Sequence, residues 1–132
     1  MTENQREILK NVRAQVKLVM MLKGRLYEEG KAALRALRMD GMPKGSASTS
    51  GLDAQMIRRE EMSRMLRREE ARLRRMERKA RQEMEGMKPE LYAFCALYYI
   101  AGMSLIDVSE AIDRSERQCL RYKREIEGTS EE

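Results

Sequence analysis

Apolar residues recur at a helical spacing over two long stretches, in the first at steps of three, four or seven, and this repeat constrains the fold more than any other feature. Its members are Ile8, Val12, Val16, Val19, Leu22, Leu26, Ala33 and Leu37, then Met56, Met62, Leu66, Leu73, Met76, Ala80, Met84 and Met87. Such spacing places side chains on one face of a helix. We therefore predict helices over residues 4–38 and 53–85. Gly24 and Gly30 each cost roughly 1 kcal/mol inside a helix, so a bend is expected between them.

The segment MDGMPKGSASTSG, residues 39–51, separates the two repeats. It is small, polar and rich in Gly and Ser, which is typical of a flexible connection. We place this loop at 39–52. Two helices of matched length joined by a short loop favour an antiparallel hairpin. Residues 1–87 are therefore predicted to form a long, coiled-coil-like helical hairpin within an all-α fold.

The apolar stripe of the second helix is narrow, and Arg and Glu alternate along its flanks. This pattern is typical of a coiled coil in which ion pairs flank the apolar seam. A lone two-helix hairpin buries little apolar area, so we expect a second chain to cover it and the protein to be a homo-oligomer. The residues predicted to form the oligomer contact are Met62, Leu66, Leu73, Met76 and Ala80.

Histidine is absent, and the two cysteines, Cys95 and Cys119, stand alone in apolar surroundings. The absence of His removes the usual general bases and most zinc or iron sites. Lone cysteines in apolar runs are usually buried side chains. We therefore expect no enzymatic activity, no metal and no cofactor.

No signal peptide or apolar run of membrane length is present, which predicts a cytosolic protein that does not bind membranes.

A second, shorter set of helices is predicted at residues 88–128, followed by a tail at 129–132. Gly86 interrupts the preceding helix, and Pro89 fits the first turn of a new one. The stretch ELYAFCALYYIAG is apolar almost all round, which favours a central position in a small core. Gly102 suits the end of this helix.

The stretch MSLIDVSEAIDRSERQCLRYKREI, residues 103–126, contains two short apolar repeats separated by Asp113 and Arg114. Ser104 and Ser115 stand at N-cap positions, each with an acid or amide three residues later, as in a capping box. Asp113 tolerates the left-handed backbone that a tight turn requires. This pattern predicts a helix-turn-helix whose second helix enters the DNA major groove.

The second of these helices has one apolar and one charged face. Cys119, Tyr122 and Ile126 are predicted to point inward, whereas Glu116, Arg117, Arg121 and Arg124 point outward with Gln118 and Lys123 at the flanks. Arginine can bond guanine O6 and N7, and glutamine can pair with adenine. A solvated last helix of an ordinary three-helix bundle is the alternative interpretation.

The long first helix, the MPKGS loop, the charged second helix and the C-terminal motif resemble the RinA/ArpU-type late transcription regulators of phages of Gram-positive bacteria. The C-terminal module of that family is similar to region 4 of sigma factors. The resemblance covers most of the chain in architecture, and its motif lies in residues 89–127. This sequence departs from the general motif at Asp113, where Gly is common, at Ser109, where Ala is common, and at Cys119, where Val or Ile is usual.

The resemblance implies binding to double-stranded DNA near a phage late promoter in the cytoplasm of a bacterial host. It also implies activation of transcription through contact with bacterial RNA polymerase. Glu116, Arg117, Gln118 and Arg121 are then the expected readers of bases. Ser104, Ser115, Lys123 and Arg124 are placed for phosphates, and Arg114 in the turn belongs to the same predicted surface.

Charge is distributed unevenly along the chain. Residues 89–132 carry five basic and nine acidic side chains, whereas residues 1–88 hold the basic excess. Residues 114–126 alone carry five basic and two acidic side chains, so a single positive face remains possible. We predict that the last helix supplies specificity and that hairpin arginines add only a salt-sensitive, sequence-independent contribution.

Two other functions fit the same pattern. Small terminase subunits of DNA-packaging machines also join a helix-turn-helix to an oligomerising coil, although usually with the DNA-binding module first. A protein that binds a sigma factor or RNA polymerase without its own DNA site is the second alternative.

Overall fold

The computed structural model describes residues 2–39 and 47–128, and every regular element in them is helical. The helices are α1 (Glu3–Met39), α2 (Ala47–Glu83), α3 (Pro89–Cys95), α4 (Leu105–Ile112) and α5 (Glu116–Glu127). A π-helical turn, Ala96–Ile100, directly follows α3. The predicted fold class, an all-α chain with two long helices followed by a helix-turn-helix, is confirmed.

Helix α1 is one residue longer at each end than predicted, whereas α2 begins earlier than predicted and ends at Glu83, two residues before its predicted end. Helix α1 runs without interruption through Gly24 and Gly30. Helix α2 begins at Ala47 rather than Asp53, so the predicted loop at 39–52 is largely helical at its C-terminal end. Relative to Ala, Ser and Thr each cost less than about 1 kcal/mol in a helix and Gly51 costs about 1 kcal/mol, which backbone hydrogen bonding offsets. Residues 40–46 of the predicted loop, and the tail at 129–132, lie outside the described residues.

The chain divides into two compact units. Met1–Lys17 and Arg72–Glu132 together form one, which we call the terminal unit, and Leu18–Ala71 forms the other, the central unit.

In the central unit, segments of α1 and α2 run antiparallel. The Nζ atom of Lys23 lies 3.3 Å from a carboxylate oxygen of Glu70. A Cβ atom built on Gly30 would lie 3.6 Å from the guanidinium of Arg59. Residue numbers therefore rise along α1 as they fall along α2, which is the arrangement of the predicted hairpin.

The core of the terminal unit draws on every helix. Its buried side chains are Leu9, Val12, Val16, Ala80, Met84, Phe94, Cys95, Tyr98, Tyr99, Ile100, Val108, Cys119, Tyr122 and Ile126. The compact unit is therefore larger than the module predicted at 88–128. The physical reason is area, because three helices of at most 12 residues bury too little apolar surface on their own.

The residues predicted to form an oligomer contact lie in both units. In the terminal unit Ala80 is fully buried, and Leu73 and Met76 pack against the core. In the central unit Met62 and Leu66 are half-buried. Three of the five side chains therefore already have apolar partners within the chain.

No helix within residues 2–39 and 47–128 combines the length and apolar character needed to span a membrane.

Candidate nucleic-acid interface

Helices α4 and α5 begin at the two serines that the sequence predicts as caps. The hydroxyl of Ser104 accepts a hydrogen bond from the backbone N–H of Asp107 at 3.2 Å. The hydroxyl of Ser115 accepts one from the backbone N–H of Gln118 at 3.1 Å. Each bond satisfies an amide that the first helical turn leaves without a partner. These hydrogen bonds confirm both predicted caps.

The turn between the two helices depends on a left-handed residue. Asp113 has φ 55° and ψ 52° and ends α4. The backbone N–H of Arg114 then donates to the carbonyl of Ser109 at 3.0 Å. Ser109 is itself buried, and its hydroxyl donates to the carbonyl of Ile106 at 2.6 Å. The helix-turn-helix is therefore closed by local hydrogen bonds as well as by its apolar contacts.

Helix α5 presents one basic face and buries the opposite one. Arg117, Arg121 and Arg124 follow the spacing i, i+4, i+7, so they share a face, and all three are exposed. Within the described part of the chain, none of their guanidinium groups forms an ion pair. The side chains on the other face, Cys119, Tyr122 and Ile126, are buried as predicted. We call Arg117, Arg121 and Arg124 the basic stripe.

Arg114, in the turn, is bound to an acid from another helix. Its Nη2 atom lies 2.5 Å from Oε1 of Glu90, in the first turn of α3. The hydroxyl of Tyr122 donates to the other oxygen of Glu90 at 2.9 Å. The hydrogen bond from Arg114, and then that from Tyr122, lowers the pKa of Glu90 below its ordinary value. Glu90 thus joins α3, the turn and α5.

Two further contacts hold the C-terminal end of α5. The hydroxyl of Tyr99 donates to a carboxylate oxygen of Glu127 at 2.8 Å. The guanidinium of Arg6, on α1, lies against Gly128, so a side chain at this position would require Arg6 to shift. Gly128 ends the helix in the left-handed conformation, with φ 66°. A cation at this end also complements the partial negative charge of the helix C-terminus.

Arg13 holds the segment that leads into α4. One of its nitrogens donates to the carbonyl oxygens of Tyr98 and Met103, the latter at 3.0 Å. The same guanidinium lies 3.7 Å from the centroid of the Tyr98 ring. Backbone oxygens at the end of the π-helical turn thereby gain a charged donor from α1. This contact fixes the direction in which the chain enters the helix-turn-helix.

Sequence reasoning missed Arg13 and Glu90 as positioning residues. A usable signal existed for Arg13, which lies four residues after Leu9 and three before Val16 on the edge of the apolar face. A long basic side chain at such an edge can reach core backbone groups. Glu90 follows Pro89 in a first helical turn, where acids are common, so its contact with Arg114 was not evident from the pattern.

The remaining predicted DNA-binding residues divide by location. Ser115, Glu116 and Gln118 lie in the first turn of α5, where Gln118 is half-buried and the other two are exposed. Ser104 is exposed at the start of α4. Lys123 is half-buried, and its Nζ atom lies 6.0 Å from the centroid of the Tyr98 ring. The structure therefore brings the predicted base readers together on α5, whereas Lys123 lies beside the aromatic core.

The cysteines are poorly suited to covalent chemistry or metal binding. Burial raises the pKa of the Cys95 thiol to about 12, and it also raises the pKa of Cys119. Both thiols are therefore protonated at neutral pH, and the thiolate is the reactive and metal-binding form. Among the described residues no group of three or more His, Cys, Asp or Glu side chains is placed to hold a metal ion.

Comparison of the chain with protein-family models, with curated proteins and with solved structures found no match.

Proposed function

We propose that this chain binds double-stranded DNA in a sequence-specific manner and regulates transcription, with α5 as its recognition helix. The observation that carries the proposal is the basic stripe. Three exposed arginines without an ion pair in the described residues lie on the second helix of a capped helix-turn-helix. A merely solvated helix would gain little from three cations on one face, because like charges at such spacing repel.

The dimensions of α5 fit the major groove. An α-helix with its side chains is about 10–12 Å in diameter, and the groove is about 12 Å wide. Arg117 and Arg121 lie in the N-terminal half of α5 and can each bond O6 and N7 of a guanine. Arg124, farther along, is placed for a phosphate, as is the hydroxyl of Ser115. Gln118 can pair with adenine from the flank of the same surface.

Side chains from other helices contact α5 along its length. Glu90 bonds Arg114 in the turn that precedes α5 and Tyr122 in its middle. Tyr99 bonds Glu127 at its C-terminal end. A surface ordered in advance loses less conformational entropy on binding, which favours affinity and specificity.

The resemblance to RinA/ArpU-type regulators extends the proposal to its biological setting. The chain would act in the cytoplasm of a bacterial host as a phage late-gene activator and would contact RNA polymerase. The order of elements supports this proposal, since the long helices precede the helix-turn-helix. In small terminase subunits the DNA-binding module usually comes first, so a packaging role fits less well.

The experiment is a selection of bound duplexes from a random pool, followed by titration of variants on the selected site and on a scrambled one. Arg117→Ala and Arg121→Ala should each lose about 1–3 kcal/mol of binding free energy on the selected site, and the preference of the protein for particular bases there should relax. Arg72→Ala and Arg75→Ala are matched controls, because both arginines are exposed on α2. These two variants should weaken binding to the selected and the scrambled duplex slightly and equally, or have no effect on binding.

Each titration is repeated at two salt concentrations, because phosphate contacts weaken steeply with salt. Circular dichroism must show unchanged helix content in every variant. A loss of base preference in the α2 variants, with preference intact in Arg117→Ala and Arg121→Ala, would show that α5 is not the recognition helix. Failure of the wild-type protein to enrich any sequence would refute specific DNA binding altogether.

A further inference from the structure

Exposed apolar side chains are concentrated in the central unit. Among its described side chains, the buried hydrophobic ones are Val19 and Leu22. The exposed large apolar residues of this unit are Met20, Met21, Tyr27, Leu34, Met56, Ile57 and Met65. In the described part of the terminal unit, Ile106 is the one large apolar side chain of similar exposure. The central unit therefore has a small core and much uncovered apolar surface.

Three of these residues form a line along α1. Met20, Tyr27 and Leu34 are spaced by seven and are 53%, 63% and 59% exposed. A seven-residue spacing keeps side chains on one side of a helix over several turns, as in a coiled-coil seam. We call these three residues the outer stripe. An isolated exposed apolar residue needs no partner, but a continuous line of them marks a contact surface.

A glycine within the outer stripe allows close approach. Gly24 lies four residues after Met20 and three before Tyr27, and a Cβ atom built on it would meet nothing within 4 Å. Glycine costs roughly 1 kcal/mol relative to alanine in a helix interior. No contact within the described chain requires the absence of a side chain at this position. The space it leaves is suited to a side chain of another helix.

We infer that the outer stripe is an interface with the outer stripe of a second copy of this chain. The partner must be a straight helix of several turns with an apolar line, and α1 itself meets that description. Closed dimers of identical chains use the same patch on both subunits, so a single stripe is sufficient. This inference does not depend on DNA binding.

The charges beside the outer stripe favour a second copy as the partner. Lys31 places its ammonium group 5.0 Å from the centroid of the Tyr27 ring, and Glu28 is exposed beside it. Lys23 is already paired with Glu70. A surface that carries both signs can complement a copy of itself when two such helices pair.

This interface differs from the one that the sequence predicts. Leu73, Met76 and Ala80 contribute to the core of the terminal unit, so their apolar surface is already covered within the chain. Changing those residues would disrupt the fold as well as any association. The outer stripe lies on α1, and its side chains are more than half exposed, so it can be altered without opening a core.

The first test measures mass in solution by light scattering and sedimentation over a wide range of protein concentration. The wild type should reach twice the 15.5 kDa of one chain. Tyr27→Lys combined with Leu34→Lys should halve that mass while helix content is retained. Ile106→Lys, at a residue 54% exposed in the terminal unit, is the matched control and should leave the mass unchanged. A wild type that remains at the mass of one chain, or a double variant that keeps the wild-type mass, would overturn the inference.

A second measurement covers the case in which the double variant does not fold. A photoreactive amino acid at position 27 of the full chain should crosslink to α1 of a second copy, and mass spectrometry should map the site near residues 20–34. Crosslinks between copies that map outside α1 would overturn the inference, as would an absence of crosslinked dimer.

Discussion

At the scale of single residues, Glu90 connects three parts of the proposed DNA-binding module, α3, the turn and α5. It accepts hydrogen bonds from Arg114 and from Tyr122, so one carboxylate links the turn to α5. Arg114 belongs to the predicted DNA-binding surface, and in the structure its guanidinium is paired with Glu90. Any phosphate that Arg114 binds must therefore compete with Glu90.

The pairing of Glu90 predicts a specific dependence of stability on pH. Its pKa is lowered in the folded chain, so its carboxylate adds stability above the unfolded value, about 4.3 for glutamate, and loses it as pH falls through the folded pKa. Glu90→Gln should therefore lower the thermal midpoint at neutral pH, and the difference from wild type should shrink in acid. Thermal unfolding followed by circular dichroism at several pH values measures this.

Glu110→Gln is the matched control for that experiment, because Glu110 is an exposed acid on α4. It should change the midpoint little at any pH. An equal deficit of Glu90→Gln at neutral and acid pH would mean that the ion pair with Arg114 does not contribute to stability.

At the scale of elements, the boundaries of α4 and α5 were predictable because local chemistry determines them. Ser104, Asp113 and Ser115 act on backbone groups within a few residues, and each has the conformation that the sequence indicates. The start of α2 was not predictable in the same way. Ser, Thr and Gly between 47 and 52 resemble a loop, yet α2 includes them, because continuing backbone hydrogen bonds offset their weak helix propensity.

The cap of α5 gives a prediction that separates stability from recognition. Ser115→Ala should cost about 1 kcal/mol of unfolding free energy, because the N–H of Gln118 loses its partner. Ser104→Ala should cost a similar amount at the start of α4. Only Ser115→Ala should alter base preference, since fraying there displaces Arg117. Urea unfolding and duplex titration measure the two effects, and an unchanged preference in Ser115→Ala would argue against base contacts from the first turn of α5.

At the scale of the whole molecule, sequence reasoning gave the helices and the outward face of α5 but not the extent of the core. Periodicity shows which face of α1 is apolar, yet it cannot show what that face meets. Leu9, Val12 and Val16 meet the C-terminal helices in one core, a contact between distant parts of the chain. The positions of Arg6 and Arg13 follow from that packing. Local pattern gives no signal for the contact of Arg6, and for Arg13 it indicates only a basic side chain at the edge of the apolar face.

The shared core predicts the behaviour of fragments. A fragment of residues 88–132 should show no cooperative thermal transition, because it lacks the α1 and α2 side chains that cover its apolar face. A chain that joins residues 1–17 to residues 72–132 through a flexible Gly/Ser linker contains the whole terminal unit and should unfold cooperatively. Calorimetry distinguishes the two, and cooperative unfolding of the shorter fragment would show that the module is autonomous.

The terminal unit is built from two segments that are distant in sequence, and this division affects how the chain folds during its synthesis on the ribosome. Leu9, Val12 and Val16 emerge well before Ile126, which belongs to the same core and is made several seconds later at about 5–20 residues per second. The hairpin of the central unit involves contacts closer in sequence, so it can form during that interval. A chain that stops before Ile126 leaves the apolar face of α1 incompletely covered, which is the kind of surface that chaperones recognise in unfinished proteins.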